Sequence, residues 1–147
     1  MVLEKYVEIL LVEDNPGDVL LTQEVLKEGR ISNHVSVATD GEMAIDLLKK
    51  RGDFSESTTP DLILLDLNLP KKSGREVLEF IKNDPELKHI PVIILTTSKD
   101  EADIMRSYQQ HCNCYITKPV DFDQFTEVVK KMEDFWFTIV KIPKKES

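Results

Sequence analysis

Cysteine is scarce, with only Cys112 and Cys114 in 147 residues and a single residue between them. Neighbours that close form a disulfide only under strain, and a reducing cytosol would not maintain it. His111 adjoins the pair, yet one short segment with three soft ligands and no second pair elsewhere makes a poor zinc site; small buried packing is the reading favoured for both thiols. Long apolar runs are also lacking, and none approaches the roughly 20 residues that cross a bilayer. The opening Met1-Val2-Leu3-Glu4-Lys5-Tyr6 has neither the basic flank nor the apolar stretch of a signal peptide, so a cytoplasmic protein is expected. Positive charge is in deficit: 19 Lys and Arg stand against 27 Asp and Glu, a net charge of −8. A field of that sign disfavours nucleic acid, and no DNA-reading segment is left over once the elements below are assigned. Internal repeats and low-complexity tracts are absent.

What is present is alternation. Five apolar runs at 7–12, 34–39, 62–65, 92–95 and 114–117 alternate with five amphipathic stretches. Asn15 offers an N-cap and Pro16 a first-turn residue for a helix through Val19, Leu20, Val25 and Leu26, which Gly29 stops. Further helices are expected over 41–50, 74–83 and 102–110, and a last one carries Phe122, Phe125, Val128, Val129, Met132 and Phe135. Residues 52–60 read as a polar loop, and Lys71-Lys72 as a solvated loop pair. The run at 62–65 is almost wholly apolar, as a strand buried on both faces of a parallel sheet should be. Five βα units with right-handed crossovers predict a doubly wound (βα)5 sandwich with helices on both faces. The domain is expected to span 1–137, with a C-terminal tail at 138–147.

Polar residues stand where the predicted strands end: Glu13 and Asp14 after the first, Asp66 after the third, Thr96 after the fourth and Lys118 after the fifth. In the flavodoxin-like order 2-1-3-4-5, strands one and three are neighbours and the crevice at their switch point is the usual ligand site. Three carboxylates in one crevice repel one another unless a cation sits among them, and an oxygen-only donor set suits Mg²⁺. Asp66 is then an oxygen nucleophile toward phosphorus, Lys118 a charge neutraliser and Thr96 a hydroxyl that can donate to a phosphoryl oxygen. Taken singly, Glu13-Asp14 reads more simply as a solvated helix-start pair, Thr96 as a loop cap, Lys118 as a solvated cation and Tyr115 as core; the joint register favours a site.

Leu11-Val12-Glu13-Asp14-Asn15, Leu64-Leu65-Asp66-Leu67-Asn68-Leu69-Pro70 with Gly74, Leu95-Thr96-Thr97-Ser98 and Thr117-Lys118-Pro119 resemble the receiver domains of response regulators, over about residues 7–137. The resemblance implies that Asp66 is the phosphoacceptor, that Asp14 and Asp66 ligate the metal directly, and that Glu13 acts mainly through metal-bound water. It also implies a ligating backbone carbonyl at Asn68, a phosphoryl-sensing pair in Thr96 and Lys118, and a switch formed by Thr96 and Tyr115. The peptide bond before Pro119 is typically cis in such domains. Thr97 departs from the Ala or Gly that many receivers carry there. Residues 66–82, Asn113-Cys114-Tyr115 and Phe135-Trp136-Phe137 further resemble single-domain receivers that partner bacterial phytochrome histidine kinases. The implied activity is phosphoacceptance that assists its own transfer and hydrolysis, without turnover of a separate substrate. A sensor histidine kinase is the implied partner, and a histidine phosphotransfer protein is a second that the resemblance admits. Three consecutive aromatics at 135–137, which one helix face cannot bury, with Val140 and Ile142 beyond, suggest a homodimer through the last helix and tail, the alternative being a tail that folds back over its own domain and hides them.

Three other functions fit the sequence less well. An FMN binder of the same fold would need neutral residues with free N–H groups where Glu13-Asp14 stands. A phosphohydrolase with an aspartyl intermediate would want an acid at Asn68. A phosphorylation-independent binding scaffold would have lost part of the acidic cluster, which is complete here.

Overall fold

The computed structural model describes residues 7–28, 33–97 and 114–131. β-Branched and leucine residues fill Val7–Val12 (β1), Leu62–Asp66 (β3) and Val92–Thr96 (β4), and every residue of β3 and β4 is buried. Such double-sided burial requires a sheet covered on both faces. Asn33–Ala38 (β2) and Cys114–Thr117 (β5) complete a five-stranded sheet in the order β2-β1-β3-β4-β5, parallel throughout. Four helices accompany it among the described residues: Pro16–Glu28 (α1), Gly41–Leu48 (α2), Gly74–Asn83 (α3) and Phe122–Lys131 (α4). A 3₁₀ turn at Gly52–Phe54 occupies part of the expected polar loop. The predicted helix at 102–110, the His111-Cys112-Asn113 segment, the aromatics at 135–137 and the tail lie outside the described residues.

The period-2 alternation of the strands divides the core into two layers. Leu10, Val12, Ile63, Leu65, Val92 and Ile94 pack with Leu47, Val77 and Ile81 of α2 and α3. Ile9, Leu11, Leu62, Leu64, Ile93 and Leu95 pack on the other side with Val25, Leu26 and Phe125 of α1 and α4.

Caps fix the helix starts. The Asn15 side chain accepts the Asp18 N–H at 3.0 Å, Asp40 accepts the Met43 N–H at 2.7 Å, and Ser73 and Glu76 form a reciprocal capping box. Two apolar side chains of the expected helices face solvent. Leu20 is 61% exposed and Phe122 37% exposed. In α1 the inward face runs through Thr22, Val25 and Leu26, and at 100° per residue that phase turns position 20 to solvent. β2 begins one residue earlier than read from the sequence, at Asn33. Lys71 is solvated as expected, with φ +68° and its exposed Nζ 3.8 Å from Asp40, whereas Lys72 is half-buried and packs on Gly41.

Candidate functional site at the carboxyl edge of the sheet

Because all strands are parallel, their carboxyl ends share one edge, and the residues that follow them are brought together. Glu13 leaves β1 fully buried: its N–H donates to the Ala38 carbonyl at 3.0 Å, and its Oε2 accepts the Asn15 N–H at 3.2 Å. Asp14, the next residue, is exposed. Asp66 closes β3 and is also buried. Its two oxygens differ: Oδ1 accepts the Asn68 N–H at 3.0 Å, whereas Oδ2 accepts from Lys118 Nζ at 2.9 Å. Glu13, Asp14 and Asp66 each offer a carboxylate oxygen lying within 4.8 Å of the others.

Lys118 enters from beyond β5, its side chain 9% exposed. Its N–H donates to the Thr96 carbonyl at 2.8 Å, and the Lys118–Pro119 peptide is cis. Nζ lies 2.8 Å from Glu13 Oε1, a close charge contact without the alignment of a hydrogen bond. Burial pushes the Glu13 carboxyl up to about 7, with Lys118 opposing and Asp66 reinforcing the shift. Burial works against the Lys118 charge, but Glu13 and Asp66 outweigh it and hold the ammonium above its ordinary range.

Thr96 is fully buried at the end of β4, and Thr97 after it is exposed. Tyr115 is half-buried against the α2 and α3 layer, opposite Ile94 in the β4–β5 register. Alternation puts Thr96 on the same sheet face as Ile94 and therefore on the side of Tyr115. Asn68 is exposed in the β3–α3 loop. That loop is held closely. A Cβ on Gly74 would meet the Asp66 carbonyl oxygen at 2.3 Å, and one on Gly41 would meet the Lys72 carbonyl oxygen at 2.1 Å. Both positions therefore require glycine.

One participant escaped the sequence reading. Asp18, in the first turn of α1, accepts from Lys118 Nζ at 3.1 Å and is 36% exposed at the crevice mouth. The available signal was an acid in the first turn of the helix that opens directly after the crevice strand. Three carboxylates, from Glu13, Asp18 and Asp66, thus face one ammonium, and Asp14 adds a fourth beside Glu13 and Asp66, an excess of negative charge offered entirely by oxygen donors. The donor set fits a hard divalent cation.

Residues 9–130 match the response regulator receiver domain. The chain belongs to that family. It is 48% identical over 135 residues to response regulator Rcp1 of Synechocystis sp. (strain ATCC 27184 / PCC 6803 / Kazusa), covering 92% of each chain. A structure of the Mn²⁺-bound form of Rcp1 superposes with a TM-score of 0.73 at 47% identity, over 93% of this chain and 99% of that one. The bacteriophytochrome response regulator AtBRR superposes at 0.83 with 42% identity, over 90% of this receiver and 96% of that chain. The phosphorylated cyanobacterial phytochrome response regulator RcpA does so at 0.75 with 48% identity, over 91% and 96%. This receiver is therefore a homologue of phytochrome response regulators, with the parallel sheet order expected from its sequence. No helix among its described residues is long and apolar enough to cross a membrane.

Proposed function

We propose that this receiver accepts a phosphoryl group from a sensor histidine kinase of the phytochrome type onto Asp66, in a Mg²⁺-dependent reaction, and signals through phosphorylation-dependent protein–protein contact in the cytoplasm. The observation that carries the reading is the setting of Asp66. It is a buried carboxylate at the end of an apolar strand, with one oxygen on a backbone N–H, the other on Lys118, and Glu13 and Asp14 within reach.

In this reading an Asp66 oxygen attacks the phosphorus of a phosphohistidine, an O–P bond forms as the P–N bond breaks, and the imidazole nitrogen leaves. Glu13, Asp14, Asp66 and the Asn68 carbonyl would hold Mg²⁺, which supplies positive charge against the transferring oxygens when bound. Lys118 already stands on Asp66 Oδ2 and neutralises charge where the phosphoryl group arrives. The Thr96 hydroxyl donates to a phosphoryl oxygen, and Tyr115, on the same face of the sheet, senses that movement. Water later hydrolyses the acyl phosphate, so the chain assists its own loading and unloading without turning over a separate substrate. The phosphorylated and Mn²⁺-bound relatives support this assignment, as does their phytochrome association. A phosphotransfer protein and a second copy of this chain are the further partners of this reading.

The test is intact-mass measurement after incubation with Mg²⁺ and acetyl phosphate. One phosphoryl group should be gained by the wild type and none at that site by Asp66→Asn. Labelling of folded Asp66→Asn at the native rate overturns the assignment. A wild type inert to small donors and to phosphorylated kinases alike would leave a binding scaffold.

A further inference from the structure

Lys118 has three ammonium hydrogens and three carboxylate neighbours, Glu13 at 2.8 Å, Asp66 at 2.9 Å and Asp18 at 3.1 Å. Two of these neighbours, Glu13 and Asp66, belong to the group whose oxygens converge closely enough to hold a cation; Asp18 does not. A divalent ion entering that group would draw on the same two carboxylates that now face Nζ and would repel the ammonium itself. The ammonium then needs somewhere to go. It cannot remain uncompensated in a nearly closed crevice, where a buried charge requires a partner. Asp18 is the partner outside the metal group, carried by a different element, and at 36% exposure it opens to the mouth of the crevice.

We propose that Asp18 is a positioning residue for Lys118: it anchors the ammonium when a metal ion takes Glu13 and Asp66, and so eases metal entry while keeping the cation beside Asp66. Without Asp18, Lys118 rests on Glu13 and Asp66 alone and competes with the ion for them. The inference rests on the metal-dependent reading of the site, and it assigns Asp18 no contact with the metal or the transferring group.

The experiment is a double-mutant cycle on full-length protein, with Mn²⁺ alone as probe and free Mn²⁺ followed by electron paramagnetic resonance. In the presence of Lys118, Asp18→Asn should raise the Mn²⁺ dissociation constant about threefold to tenfold, and in the Lys118→Met background the same change should act within about twofold. Asp18→Glu, which restores the carboxylate, should recover most of the loss. Glu24→Gln, which removes an exposed charge from the same helix, should leave binding within about twofold of wild type. Far-UV circular dichroism melts establish that each variant is folded. Unchanged affinity in Asp18→Asn overturns the proposal, as does an equal loss with and without Lys118, or an equal loss from Glu24→Gln. Failure of the wild type itself to bind Mn²⁺ would instead remove the metal-dependent reading.

Discussion

Asp14 and Asp66 carry the same functional group in different surroundings. Asp66 is buried with both oxygens engaged, whereas Asp14 is exposed. Substitution at Asp66 disturbs a packed strand end, but substitution at Asp14 removes charge and a donor with little effect on packing. Asp14→Ala should therefore fold normally and bind Mg²⁺ at least about tenfold more weakly, because the ion loses a carboxylate ligand. Calorimetric titration of the two proteins with Mg²⁺ checks this, and equal affinities would take Asp14 out of the ligand set. Glu13 and Lys118 illustrate the reverse condition, in which burial raises the stakes of every contact. The Glu13 carboxyl is driven up to about 7 by desolvation even with an ammonium beside it.

Two glycines tie elements together. Gly41 opens α2 against the Lys72 backbone, with its N–H on the Pro70 carbonyl at 3.3 Å, and Gly74 opens α3 against Asp66 and Leu67. Gly41→Ala and Gly74→Ala should each destabilise the fold by about 1–3 kcal/mol, since backbone rather than a movable side chain blocks the new Cβ. Urea melts measure this loss, and unchanged midpoints would mean that the loop yields freely. Farther along, Lys49 at the end of α2 donates to Asp84 Oδ2 at 3.0 Å at the end of α3. That hydrogen bond, followed by the Glu86 N–H, holds the Asp84 carboxyl below its usual value of 3.8. A depressed folded value stabilises above the unfolded one and loses its effect as pH falls through the folded one. Asp84→Asn should accordingly melt lower than wild type at neutral pH, with the gap closing as pH drops below 3.8. A gap independent of pH would assign it to lost packing. Periodicity revealed these elements well where one side chain type dominates, as in β3 and β4. In α1 it located the helix but not its inward phase, which a polar Thr22 shares with Val25 and Leu26 while Leu20 faces solvent. The convergence of Glu13, Asp14, Asp66, Thr96 and Lys118 was legible because parallel strands put their ends on one edge. Asp18, Gly41 and Lys72 were not, since their contacts join segments that no local pattern relates.

At the scale of the molecule, a net charge of −8 is concentrated in part where four carboxylates cluster and three of them meet one ammonium. A cation bound by the folded chain alone stabilises it by mass action, about 2.7 kcal/mol when free ion reaches a hundred times its Kd. The urea midpoint should rise with Mg²⁺ in the wild type and, with binding about tenfold weaker, about half as much or less in Asp14→Ala; a rise of equal size in both would point to general screening of charge. Above that edge the sheet acts as a partition. Side chains of the α2 and α3 layer meet one another, those of the α1 and α4 layer do the same, and the backbone plane stands between them. The two compartments should respond to substitution separately: Ile81→Val on one side and Val25→Ala on the other should lose stability as a plain sum, whereas Ile81→Val with Leu78→Ala, in one compartment, should depart from it. Exchange of the filling in one compartment can thus leave the other, and the carboxylate-bearing edge of the sheet, in place.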